Sequence, residues 1–158
     1  ASVLGVDLGR FYKRRDYSRI VNGRNPIVAH EYLGTSVEGK DVFIADDIIS
    51  SGESMLDIAY ALKKQKAGRI FAYATYGLFT NGLEAFDKAY EEGYISGVLG
   101  SNLTYRTPEL RQREWFFEVD VSKYIAYFIA ALNHDISVST IVDPHERIQH
   151  LLEQRGQR

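Results

Sequence analysis

The chain has 158 residues, 45% hydrophobic and 25% charged, with 13 Gly, 3 Pro and no Cys. That composition suits a globular domain large enough to bury a core. It excludes a disulfide framework or thiolate metal site, and no apolar run approaches the roughly 20 residues of a spanning helix. A net charge of −2 points away from a broad nucleic-acid-binding face, so neither nucleic acid nor membrane is expected as a partner. The N-terminus lacks the basic and apolar regions of a secretory leader, and the cytoplasm is the expected compartment. The chain opens on Ala1-Ser2-Val3-Leu4 rather than Met and runs straight into an apolar segment, which reads as a piece of a longer protein.

Val3 to Tyr12 holds β-formers interrupted by Gly5 and Gly9 and stops at the basic cluster Lys13-Arg14-Arg15. Residues 16–26 carry Asp, Ser, Asn, Gly and Pro, the chemistry of a loop. Ile27 to Leu33 is expected as a strand. Asp41 to Ala45 reads as a buried strand ending at the acidic pair Asp46-Asp47. From Ser54 to Lys66 apolar residues fall at 55, 56, 58, 59 and 62, the period of an amphipathic helix, and Gly68 supplies a stop. Ile70 to Thr75 is the next strand, Leu83 to Glu92 a helix closed by Gly93, and Ile95 to Leu99 a short strand. Trp115 to Val121 is a further strand and Ser122 to Asn133 an aromatic-rich helix. Asp143-Pro144 opens a polar helix to Gln154, with Pro in the first turn. Alternating strands and helices imply an α/β fold, a mostly parallel sheet covered by helices on both faces. The division expected is a domain over 1–142 and a helical tail over 143–158.

In such sheets ligands bind at the carboxyl ends of the strands, which directs attention to Val42-Phe43-Ile44-Ala45-Asp46-Asp47-Ile48-Ile49-Ser50-Ser51-Gly52-Glu53-Ser54. An apolar strand delivers two carboxylates, then a short loop of Ser and Gly leads into a helix. Loop amides and a helix N-terminus favour phosphate, serine hydroxyls add donors, and Gly52 permits close backbone approach. Ionised carboxylates accept hydrogen bonds only, which suits the vicinal hydroxyls of a sugar. A sugar phosphate therefore fits better than bare phosphate. The plainer explanation is a helix capped by Ser50 or Ser51 after an acidic loop.

The segment Asp46 to Ser54 resembles the phosphoribosyl-binding loop of type I phosphoribosyltransferase folds, and the surrounding pattern is most similar to ribose-phosphate diphosphokinases. Lys13-Arg14-Arg15 resembles the start of that family's catalytic flexible loop. Val37-Glu38-Gly39-Lys40-Asp41-Val42 leading into Asp46-Asp47-Ile48-Ile49, the strand Ala72-Tyr73-Ala74-Thr75, and His134-Asp135-Ile136-Ser137-Val138-Ser139 carry the likeness further. The match runs over nearly all of residues 3–140 and corresponds to the second half of such an enzyme, so the fold is expected to be incomplete at its N-terminus. The resemblance implies transfer of a diphosphate from ATP to the C1 hydroxyl of ribose 5-phosphate, with Mg²⁺ accompanying ATP. Asp46 and Asp47 would hold the ribose hydroxyls, Ser50, Ser51, Gly52 and Ser54 the 5-phosphate, and Lys13 and Arg15 the ATP phosphates. A homo-oligomer is also implied. No residue of the chain is assigned as a metal ligand.

This chain departs from the family pattern at Ser50, where Asp is usual, and at Ser51 and Ser54, where Thr is usual. Glu53 stands where a small residue is common and Tyr76 where a His often follows the Thr, and the segment from Lys13 to Gly34 is longer than the usual loop. A phosphoribosyltransferase acting on a nucleobase and a catalytically silent regulatory homologue are the alternatives. His30 is expected to be packed or hydrogen-bonded, and His134, His145 and His150 lack zinc spacing. Trp115, Phe116, Phe117, Tyr124, Tyr127 and Phe128 are expected in a core, with an oligomer interface second and a base-stacking platform third.

Overall fold

The computed structural model describes residues 1–15 and 27–156, excluding the side chains of residues 13–15, 27–31, 140 and 155. The chain divides into two compact units, one formed by Gly9–Val119 and the other by Ala1–Leu8 with Asp120–Arg158.

In the first unit, strands β1 (Arg10–Arg15) and β2 (Ile27–Leu33) pair antiparallel, with Arg10 opposite Leu33 and Lys13 opposite His30. The strand expected from Val3 thus begins seven residues later and includes the basic cluster instead of stopping before it. Ser2–Leu4, which belongs to the other unit, forms a 3-10 turn closed by Gly5 at φ 64°, a left-handed conformation that glycine adopts without steric cost. The hairpin is anchored at its base: the Phe11 and Tyr32 rings lie 5.1 Å apart and pack against the core.

The main sheet follows: β3 (Val42–Ile49), helix α1 (Glu53–Lys64), β4 (Ile70–Gly77), α2 (Glu84–Glu91), β5 (Gly97–Ser101), the short α3 (Pro108–Arg111) and β6 (Phe116–Val119). All four strands are parallel, in the order β3-β4-β5-β6. Strand order that advances one neighbour at a time, with right-handed crossovers, puts the connecting helices on one face of the sheet. Burial agrees. Ile70, Ala72, Ala74, Val98 and Phe116 are buried on that face with Met55, Leu56, Ala59, Leu62, Phe86 and Ala89 of α1 and α2. On the other face Phe43 is 60% and Phe117 48% exposed. The parallel sheet is as expected, but within this unit its helices cover one face and not two.

The core is aromatic at its centre. Phe79 meets Phe86 edge-on at 5.1 Å between ring centroids, Phe86 stacks on Trp115 at 5.4 Å, and Phe79 lies 6.3 Å from Phe116. Each such side chain contributes about 1.5–3 kcal/mol when withdrawn from water. The buried Trp115 indole donates to Asp87 Oδ1 at 2.7 Å, and the Arg113 Nε stands 2.9 Å from the same oxygen, so the one polar atom of the indole is paired. Core packing thus holds for Trp115 and Phe116 but not for Phe117, which lies on the open face. Helix α3 was not expected, although Thr107-Pro108 is a strong start signal: the Thr107 hydroxyl accepts from Leu110 N at 3.2 Å and Pro occupies the first turn.

The second unit carries α4 (Ser122–Asn133), α5 (Ser139–Val142) and α6 (His145–Gly156). Tyr124 and Tyr127 are exposed here, beneath Arg147 at 5.3 Å and Lys123 at 5.6 Å respectively. Among the described residues, no helix is long and apolar enough to cross a membrane.

Candidate functional site

Strand β3 runs four residues beyond the expected Ala45, so Asp46 and Asp47 lie within the strand and not after it. The cause is its neighbour. β4 continues to Gly77, and the ladder pairs Asp46 with Ala74, Ile48 with Tyr76 and Ile49 with Gly77. These non-local hydrogen bonds outweigh the poor strand preference of aspartate. Successive strand residues point to opposite faces, so the two exposed carboxylates do not form a side-by-side fork. Asp46 turns back on its own chain, its Oδ1 accepting from Asp47 N at 2.9 Å.

That loop turns through Gly52, which is buried and has φ 88°. A side chain there would face a second obstacle, because a Cβ would collide with the Phe86 ring of α2. Gly52 is also the residue that caps α1, with no side-chain cap bond, so the plainer alternative of a helix capped by Ser50 or Ser51 does not hold. Ser51 Oγ instead lies 3.5 Å from Glu53 N as acceptor. Ser50 is exposed, and Ser51 and Ser54 are half-buried. A helix N-terminus has the amide-rich character that attracts an anion.

The chain after β4 braces this loop, a role the sequence reading missed. Leu78 N donates to Ile49 O at 2.8 Å and Thr80 N to Ser50 O at 2.9 Å. Phe79 adopts φ 48° between them, a costly left-handed conformation for a bulky residue, held by its buried ring among Phe86, Trp115 and Phe116. Asn81 Nδ2 then donates to Glu53 Oε1 at 3.4 Å. The only advance signal was the pair of glycines, Gly77 and Gly82, bracketing the turn. On the far side, Ser101 Oγ donates to Thr75 O and accepts from Leu103 N at 3.2 Å. Arg106 Nε reaches Glu118 Oε2 at 2.7 Å. The segment after β5 is thereby tied to β4 and β6.

Asp46, Asp47, Ser50, Ser51, Gly52 and Ser54 therefore lie in one stretch of chain running from the last residues of β3 into the first turn of α1. Lys13 and Arg15 are placed on β1, with Lys13 opposite His30, Arg15 opposite Ile27 and an irregularity in the ladder between Arg14 and Arg15. Their side chains and that of His30 lie outside the described residues, as does the 16–26 loop. Tyr76, near the end of β4, is exposed. Among the described residues no group of three His, Cys, Asp or Glu could hold a metal.

The parallel sheet flanked by helices is a phosphoribosyltransferase-type fold, which the chain shares with a solved synthetase. The chain belongs to the family of the phosphoribosyl synthetase-associated domain, whose model matches residues 22–143. It is 38% identical over 100 residues to the ribose-phosphate pyrophosphokinase of Thermococcus kodakarensis, covering 63% of this chain and 33% of that one. It is 28% identical over 148 residues to the enzyme of the same name from Mycoplasma genitalium, covering 92% of this chain and 42% of the relative. The crystal structure of phosphoribosylpyrophosphate synthetase from Mycobacterium smegmatis shares the fold with a TM-score of 0.58 at 20% identity, over 68% of this chain and 34% of that chain. The chain thus spans less than half the length of these relatives.

Proposed function

We infer that this chain is the sugar-phosphate-binding portion of a ribose-phosphate diphosphokinase, which moves the diphosphate of ATP to the C1 hydroxyl of ribose 5-phosphate for nucleotide synthesis. The observation that carries the reading is the β3–α1 connection. Two carboxylates near the end of β3 are followed by three serines and a glycine of left-handed conformation that lead into a helix N-terminus, in a chain of the synthetase-associated family. In the reaction the C1 oxygen attacks the β-phosphorus of ATP, loses its proton, and AMP leaves. The amides and hydroxyls of Ser50, Ser51, Gly52 and Ser54 hold the 5-phosphate, while Asp46 and Asp47 accept from the ribose hydroxyls and orient C1. Lys13 and Arg15, on a hairpin strand, are assigned to the charge that develops on the transferred phosphates, where a cation in a water-poor site lowers the barrier most.

The residues present fit a Mg²⁺ that arrives with ATP. Such an ion needs only one or two carboxylates besides the substrate oxygens, and exposed Asp46 and Asp47 can supply one. When bound, it would neutralise phosphate charge. A homo-oligomer in the cytoplasm, taking ATP and ribose 5-phosphate as partners, completes the proposal and is supported by the family resemblance alone.

The test is AMP release by the complete protein given ATP, Mg²⁺ and ribose 5-phosphate. AMP formed only when the sugar phosphate is present is the expected result. Asp47→Ala should weaken ribose 5-phosphate binding about tenfold or more, given about 1.5–3 kcal/mol for a hydrogen bond to a charged group. A folded protein that binds ribose 5-phosphate but releases no AMP would be a silent homologue. Diphosphate release that requires a nucleobase would make it a phosphoribosyltransferase.

A further inference from the structure

Within the hydroxyl loop one residue works against an anion. Glu53 is the first residue of α1 and is exposed, and its carboxylate is held on one side by the Asn81 amide, 3.4 Å from Nδ2 to Oε1. Asn81 follows directly on a segment whose Leu78 and Thr80 amides are bonded to the Ile49 and Ser50 carbonyls. The same backbone therefore positions both the loop and the group that holds Glu53. A carboxylate in the first turn stabilises an unliganded helix. Once a phosphate occupies that helix end, the same charge becomes repulsive.

Resting on the reading of this loop as a sugar-phosphate site, we propose that Glu53 sets the affinity of the loop by weakening the hold on every phosphate ligand alike, and that Asn81 limits the penalty by drawing the carboxylate toward the β4–α2 side. Free inorganic phosphate, with no further contacts to offer, is then excluded at ordinary concentrations. A sugar phosphate recovers the loss through its hydroxyls on Asp46 and Asp47. Glu53 touches no reacting atom in this scheme, and Asn81 acts only through Glu53.

The test is titration of the full chain with ribose 5-phosphate, and separately with inorganic phosphate, for the parent chain, Glu53→Gln, Asn81→Ala and the double variant. Glutamine preserves the size and helix preference of residue 53, so folding is not the variable. An exposed carboxylate beside a phosphate interacts close to the bulk-water limit of about 1 kcal/mol and should cost about three- to tenfold in affinity. Glu53→Gln should therefore bind both ligands tighter by that factor, and the gain should shrink as ionic strength rises. Asn81→Ala should bind a few-fold more weakly, and the double variant should match Glu53→Gln, which is the signature of one residue acting through the other. Unchanged or weaker binding by Glu53→Gln, while the parent chain binds ribose 5-phosphate, would overturn this proposal and leave the sugar-phosphate site standing. The proposal fails in the same way if Asn81→Ala weakens binding equally when Glu53 is already Gln. Binding by none of the four proteins would overturn both.

Discussion

At the scale of single residues, Gly52 is the position least open to change. Its φ of 88° and the Phe86 ring beside it penalise any side chain twice, once in the backbone and once by collision. Gly52→Ala should destabilise the chain by more than about 1 kcal/mol, the cost of the left-handed conformation alone. The check is the thermal midpoint followed through Trp115, the only tryptophan of the chain; an unchanged midpoint would mean that Phe86 yields and the turn refolds. Phe79 shows the opposite bargain. It accepts an unfavourable backbone angle because its ring has nowhere better to go than the aromatic cluster, and the amides on either side are thereby aimed at the loop. No local pattern marks Phe79 for this role, since a positive φ at phenylalanine is imposed by packing from outside the turn.

Between elements, the starts of β3 and β4 are joined by a charged clamp. Asp41 Oδ2 accepts from Arg69 Nε at 3.0 Å and from Arg69 Nη2 at 2.6 Å, while Asp41 Oδ1 accepts from Arg69 N at 2.9 Å. The Arg69 side chain, and then its backbone amide, hold the Asp41 carboxyl below its ordinary value of 3.8. A carboxyl whose folded value is depressed adds stability that is fully present above the unfolded value. That stability is lost as pH falls through the folded one. The pair is exposed, so its share is small, but its sign is definite. Asp41→Asn should flatten the loss of stability below pH 3.8, measured by denaturant unfolding across the acid range. An identical acid profile in the variant would show that the clamp forms equally in the unfolded chain. The same ladder carries β3 on to Ile49, and so moves the acidic pair from a loop into a strand.

For the molecule as a whole, the distribution of the core is uneven. Every residue of the buried hydrophobic cluster, from Val37 to Phe116, belongs to the Gly9–Val119 unit. In the other unit Ala131 is the one buried hydrophobic among the described residues. A piece containing only residues 9–119 should therefore fold cooperatively, retaining the mixed α/β circular dichroism and the buried-tryptophan emission of the full chain. Residues 120–158 alone bury too little of their apolar surface to close a core and should be largely unfolded. A 9–119 piece that emits like free tryptophan in water would show that the terminal segments are required for the sheet to form.

What the sequence determined by itself was whatever depends on neighbours a few residues apart. The apolar period over 55–62 places α1, the run from Ile70 places β4, and the Asp-Ser-Gly composition of 46–54 marks the anion-friendly loop and the family resemblance. The departures at Ser50 and Glu53 were equally legible there. Tertiary structure alone decided the rest, because each feature depends on a partner distant in the chain. Pairing with β4 drew Asp46 and Asp47 into β3 and turned them to opposite faces. Phe86 made Gly52 the turn and cap in place of a serine. The aromatic cluster forced Phe79 into the conformation that braces the loop and brings Asn81 to Glu53. The stepwise order of the strands gathered the helices on one face and left Phe43 and Phe117 open on the other. Periodicity reports which face of an element is apolar, but only long-range packing decides what meets that face.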